Sequence, residues 1–191
     1  IGKGKSISHG VAALEYDLAK EINGQAVATE IARHELYGCT GAEMVQEMKP
    51  YHIDFPNVKN NCLRFEVSPS IEESATFTDA DWAELGNDFM QRMGLANHQY
   101  IIIRHSGTES KKEQAHLHIL ANRVSLSGEL YRDNWIGKKA TEAANAIAKE
   151  RNFVQSQDIG KVNKAEIKEA MDGVLKLSLI HISEPTRPLY I

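Results

Sequence analysis

This chain of 191 residues predicts an α+β fold, a β-sheet with helices packed on it. Three observations carry that expectation. Gln99 to Val124 (QYIIIRHSGTESKKEQAHLHILANRV) is two apolar, β-branched runs around a polar loop, the pattern of an antiparallel hairpin. Cys62 to Val67 (CLRFEV) alternates apolar and polar side chains, as a strand with one buried face does, and Ser68-Pro69-Ser70 closes it. Apolar residues at helical spacing fill the stretches between and beyond these runs.

From the N-terminus, Val11, Leu14, Leu18 and Ile22 recur at helical spacing, and Gly24 stands where that helix would stop. Thr40 and Glu43 make the Thr-x-x-Glu pattern of a capping box, opening a short helix that must end before Pro50. The strand over 62–67 follows. Thr78 caps the next helix, which places Trp82, Leu85, Phe89, Met90 and Met93 on one face and ends at Gly94. After the hairpin, Ser127-Gly128 reads as a turn, and a helix runs from Asn134 to about Arg151 with Ala143, Ala144 and Ile147 inward. A linker and a polar helix, Asn163 to Leu175, complete the pattern, with no internal repeats or low-complexity tracts.

A chain of this length buries a core without staples. Cys39 and Cys62 form no CxxC pair, so both are expected to stay reduced. No apolar run reaches the ~20 residues of a membrane span, and no leader pattern opens the chain, which predicts a soluble, cytoplasmic protein. The net charge of −4 weakens a nucleic-acid reading. The basic residues are local, however: Lys3, Lys5, Lys111, Lys112, Arg123, Arg132, Lys138 and Lys139. Lys111 and Lys112 in the hairpin loop, and the segment from Arg132 to Lys139, are positioned to flank the hairpin; ordinary surface charge explains them equally well. The first residue is Ile, and 177–191 (LSLIHISEPTRPLYI) changes character abruptly after a Lys/Glu-rich run. Leu177 to Arg187 resembles the translation of a common sequencing adapter, so His181 and Tyr190 are left out of the functional argument. The expected division is a domain over 1–155, a linker and helix over 156–176, and an artefactual tail over 177–191.

The chemistry sits in the hairpin. His116 and His118 are two apart, so on a strand both imidazoles leave the same face. His105 ends the partner strand and brings a third nitrogen toward the same point. Three neutral imidazoles on one side of a sheet form a divalent-metal site with open positions.

HQYIIIRH at 98–105, AHLHILANRV at 115–124 and HGVAALEYDLAKE at 9–21 resemble the HUH endonucleases, and more narrowly the relaxase/mobilization nuclease family of plasmids and conjugative elements. The resemblance covers about residues 1–155. It implies an antiparallel sheet of about five strands with the His-x-His pair at its centre. It also implies a DNA strand transferase that nicks one strand at a transfer origin, with Tyr16 as the nucleophile and a 5′-phosphotyrosine intermediate. His105, His116 and His118 would hold Mg2+ or Mn2+, with Zn2+ as an alternative. The expected partners are single-stranded or melted DNA, accessory mobilization proteins and a coupling protein. Glu66 stands in a region where the family carries an acidic or hydroxyl-bearing supporting residue.

Several residues admit two readings. Tyr16 on its helix also suits an amphipathic core tyrosine. Tyr131, thirteen residues after His118, is where rolling-circle replication initiators carry their nucleophile, yet Arg132-Asp133-Asn134-Trp135 lacks the lysine that follows it there. A non-catalytic DNA-binding module with a structural metal, or a hydrolase using activated water, would need neither phenol. Glu66 reads equally as a solvent-facing carboxylate, and Ser68 and Ser70 as turn residues. Asn122 and Arg123 could orient a ligand or make structural hydrogen bonds. The family commonly has an acidic residue two positions after the first histidine; Gly107 stands there, with Glu109 or Glu113 as substitutes in a longer loop. His9 and His98 read as helix-end or loop residues.

Overall fold

In a computed structural model of the chain, residues 1–107, 114–154 and 164–175 are described. They fall into two units, Ile1–Phe153 and a second beginning at Val154, within which a helix over 164–175 is described. The first unit carries every candidate residue that the structure describes. Its elements are β1 (Gly2–Ile7), α1 (Gly10–Leu18), β2 (Glu21–Ile22), β3 (Gln25–Ala26), β4 (Ala28–His34) and α2 (Gly41–Met48), which runs into a 3-10 turn over Lys49–His52. There follow β5 (Cys62–Val67), α3 (Ile71–Ser74), α4 (Asp79–Arg92), β6 (His98–His105), β7 (His116–Ser125) and α5 (Ile136–Glu150).

Five strands form one antiparallel sheet in the order β1-β5-β7-β6-β4. The fold is therefore α+β with β7, the His-x-His strand, at the centre. Because side chains alternate along each strand, the sheet has two distinct faces. Leu63, Phe65, Ile102, Leu117, Ile119 and Ala121 meet Trp82, Phe89 and Ile147 of α4 and α5 in the larger core. On the other face, Ile7, Cys62, Ile101, Ile103 and Leu120 meet Leu14, Met44 and Met48 of α1 and α2. In register, His105 pairs with His116 and Ile103 with His118, so the histidines lie on this second face.

Local rules explain most boundaries. Thr40, Ser70 and Thr78 each accept from the backbone N–H three residues on, while Glu43, Glu73 and Asp81 bond back, so all three helices open on capping boxes. The helix expected from Val11 to Ile22 ends at Leu18 instead. Asn23 and Gly24 both take positive φ (54° and 75°), making the two-residue turn of the small β2–β3 hairpin rather than a helix stop. The buried side of α1 is also phased differently: Ala13, Leu14 and Asp17 are buried, whereas Val11 is exposed. The helix expected from Asn134 begins at Ile136, after Trp135 in the left-handed region.

The sequence pattern names neither edge strand. β1 reads GKGKSI, without the apolar alternation of a half-buried strand, and its lysines blunt an open edge. Its glycines admit α5: a Cβ on Gly2 would lie 2.3 Å from the Ala140 carbonyl oxygen, and one on Gly4 2.7 Å from the Phe65 ring.

Candidate metal centre

His105, His116 and His118 each present one ring nitrogen, and these three atoms lie within 4.8 Å of one another. All three rings are buried, His118 the least so. Their tautomers follow from their partners, since a carbonyl oxygen can only accept. His105 Nε2 donates to the Asp17 carbonyl at 2.7 Å, which leaves Nδ1 with the lone pair. His116 Nδ1 donates to the Gln114 carbonyl at 3.1 Å, which frees Nε2. His116 Nε2 and His118 Nε2 then face each other at 3.2 Å. Burial above all, with the Arg64 charge next, pushes the His118 imidazole down to about 2, and burial also lowers that of His105. Both rings are therefore neutral at neutral pH, as metal ligation requires.

A second layer, formed by Asp17 and Arg64, holds this cluster. Asp17 is 1% exposed and its carboxylate accepts from Arg64 Nε at 3.0 Å and from Arg64 Nη2 at 2.5 Å. Arg64 Nη2 also lies 3.2 Å from His118 Nδ1, and Asp17 Oδ1 is 4.0 Å from that nitrogen. Arg64 can only donate, so His118 Nδ1 accepts and the ring carries its hydrogen on Nε2, facing His116. Holding an ion through that Nε2 would require this hydrogen to leave. The donor set, three neutral imidazoles with their outer nitrogens directed by protein groups, fits a divalent ion.

The chain matches the family model described as Relaxase: MobA/VirD2-like, nuclease domain, over residues 16–153. It belongs to that relaxase family. No curated protein matches it. The relaxase nuclease domain is a DNA-nicking type of domain, and the three-histidine cluster is compatible with it.

Tyr16 of this relaxase domain sits in the last turn of α1, immediately before Asp17. It is 55% exposed, so it is not a core tyrosine, and its hydroxyl accepts from Lys20 Nζ at 2.6 Å. Tyr131 lies elsewhere. Its N–H donates to the Arg123 carbonyl, five residues beyond His118 and thus about 17 Å along β7. Its ring packs against the larger core and His98, on the opposite face from the histidines.

Glu66 is on the histidine face as the register partner of His118, but its carboxylate accepts from Lys3 at 2.9 Å. Asn122 is on the same face four residues along, about 13 Å from His118. There it is fully buried: its amide donates to Met48 O and Gln99 Oε1, and its Oδ1 meets His52 Nε2. Asn122 thus ties the 3-10 turn to the sheet and does not support the ligands. Arg123 donates to Tyr131 O, Asn60 O and Asp133, a structural clamp rather than a free phosphate contact. Arg132 is exposed beside Tyr131, away from the cluster. Lys111, Lys112, Glu109, Glu113 and residues 177–191 lie outside the described residues. His9 is at the α1 N-cap, as expected, whereas His98 is a buried strand residue bonded to the Asn122 carbonyl.

Sequence reasoning missed Asp17 and Arg64. The signal was present. Asp17 is four residues after Ala13 and three after Leu14, an acid on the buried stripe of a helix, and such a carboxylate needs a cationic partner. Arg64 is on the same face of its strand as Cys62, facing that helix.

Proposed function

We propose that this domain nicks one DNA strand at a transfer origin by attack of Tyr16 on the scissile phosphate. The observation that carries the reading is the pinning of α1. The residue after Tyr16 bonds His105 through its backbone and reaches His118 through Arg64, so the phenol is registered against the histidine cluster by the helix that bears it.

Tyr16 Oη forms a bond to phosphorus as the bond from phosphorus to the 3′ oxygen breaks. The phenol proton passes to solvent, and the departing 3′ oxygen takes one up. Lys20 Nζ, donating to Oη, stabilises the negative charge that develops there. A 5′-phosphotyrosine and a free 3′-hydroxyl result, one phosphoester exchanged for another, so the reverse reaction rejoins strands without external energy. A divalent ion held by His105, His116 and His118 supplies polarisation of a non-bridging phosphate oxygen. Magnesium or manganese suits phosphoryl chemistry, and zinc suits three imidazoles. The Arg64 guanidinium, paired with the Asp17 carboxylate, steadies the His118 ring from its Nδ1 side.

The substrate in this reading is single-stranded or locally melted DNA, in the cytoplasm, with accessory mobilization proteins and a coupling protein as partners. The nuclease domain extends to about residue 155, and the tail over 177–191 takes no part. Among the described residues, no helix is long and apolar enough to cross a membrane.

A covalent-adduct assay on supercoiled plasmid carrying the origin tests the proposal. The unaltered chain, Tyr16→Phe and Tyr131→Phe are each compared with magnesium or manganese and with chelator. The expected result is a metal-dependent protein–DNA adduct lost only in Tyr16→Phe. Loss confined to Tyr131→Phe would make the protein a replication initiator. Nicking without adduct would point to activated water, and no cleavage to a binding module.

A further inference from the structure

The chain has two tryptophans. Trp82 is 2% exposed in the larger core, whereas Trp135 is 80% exposed. The Trp135 backbone is left-handed (φ 58°), a conformation glycine and asparagine adopt readily and bulky residues do not. Its loop is nevertheless braced at three points. Asp133 accepts from Arg123 Nη2 at 2.6 Å, Ile136 N–H donates to Asp133 O at 3.1 Å, and Lys139 Nζ donates to Arg132 O at 3.0 Å. The largest side-chain type thus stands in solvent on a strained but fixed backbone, where the core gains nothing from it. An outlier of that kind points to a binding role.

The position of Trp135 indicates the ligand. Thr141 Oγ1 donates to Gly2 O at 2.9 Å, and a Cβ on Gly137 would lie 3.5 Å from Gly4 O. The start of α5, with Trp135, therefore adjoins the Lys5 end of edge strand β1. Lys3 and Lys5 pair in register with Glu66 and Arg64, so they lie on the histidine face. β1 is two strand spacings from β7, about 10 Å. The histidines lie level with Lys3, so the indole stands further along the sheet from them and, with α5, on the side of the larger core. Exposed Lys5, Arg132 and Lys138, the last 3.8 Å from Glu142, are the cations nearest to it in the fold and the sequence. Cationic flanks with an accessible aromatic ring are what hold unstacked bases along a phosphate backbone. A duplex, whose bases are already stacked, offers that ring no face.

We propose that Trp135 is a base-stacking residue that holds single-stranded DNA at the β1 edge, beyond the histidine cluster. The proposal rests on the reading of the domain as a nuclease for single strands.

Intrinsic fluorescence tests it, because an oligonucleotide reaches Trp135 and not the buried Trp82. The full chain is titrated in chelator with single-stranded oligo(dT) and separately with blunt duplex. The expected result is quenching by oligo(dT) at concentrations where the duplex has little effect. In an anisotropy assay with labelled oligo(dT), Trp135→Ala should bind about tenfold more weakly and Trp135→Phe nearly as well as the unaltered chain. The salt dependence should be unchanged, since no phosphate contact is removed. Thermal melts of both variants should match the parent. Absent quenching, unweakened binding by Trp135→Ala, or equal losses in both variants would each overturn the stacking role. The Tyr16 adduct is scored in parallel. Adduct formation with unweakened Trp135→Ala binding overturns stacking alone, while quenching without adduct in any variant overturns the nicking mechanism and leaves stacking in place.

Discussion

Asp17 serves two ends at once. Its carbonyl fixes the tautomer of His105, and its carboxylate neutralises Arg64 inside the domain. Removing one partner of a buried ion pair leaves the other charge uncompensated, a larger effect than losing the pair's net contribution. Asp17→Ala should therefore destabilise the fold by about 3 kcal/mol in urea titrations. It should also weaken binding of manganese or zinc about tenfold by calorimetry, because the groups directing His118 are disturbed. Unchanged metal affinity in a folded Asp17→Ala protein would remove the residue from the site. The histidines themselves were legible because three ligands on two adjoining strands form a pattern of period two. Asp17 and Arg64 come from elements that meet only in the fold, and a single charged residue on an apolar stripe announces a partner without naming it.

At the level of elements, what could be read from the sequence depended on burial. The central strands β5, β6 and β7 and the capped helices α2 and α4 carry strong local patterns, because each packs one defined face or opens on a side-chain cap. Edge strands β1 and β4 are partly exposed, so their composition obeys no alternation, and the Asn23-Gly24 hairpin looks like a helix end until its backbone is seen. The glycines of β1 are the sharpest case. They let α5 lie against the strand, with the Ala140 carbonyl where a Gly2 Cβ would be. Gly2→Ala should lower stability by about 1–3 kcal/mol through this overlap, read as a shift of the urea midpoint. A midpoint equal to the parent's would mean that α5 moves aside without loss.

For the whole molecule, buried imidazoles link the fold to acidity. His98, His105 and His118 are all held below the ordinary histidine range, in each case chiefly by burial. Above pH ~6.5 these rings are neutral in both folded and unfolded chains and make no difference. Below it the unfolded chain binds more protons than the folded one, so stability must fall as pH falls, and for His118 the fall continues to about 2. Urea midpoints of the metal-free protein between pH ~7 and ~5 should decline accordingly; a midpoint rising toward acid would contradict neutral, buried rings. Net charge is a sum over the chain, −4, and says little of one face of one sheet, where Lys3 and Arg64 are paired with Glu66 and Asp17 and Lys5 is exposed. The tether from Asp17 to the cluster has a last consequence. Since the end of α1 and the ion would share anchors, any effect of a ligand at that helix end on metal affinity would be matched, factor for factor, by the metal's effect on that ligand's affinity. A DNA strand held at Tyr16 would then tighten or loosen the grip on the metal by the same factor as the metal changes the grip on the strand.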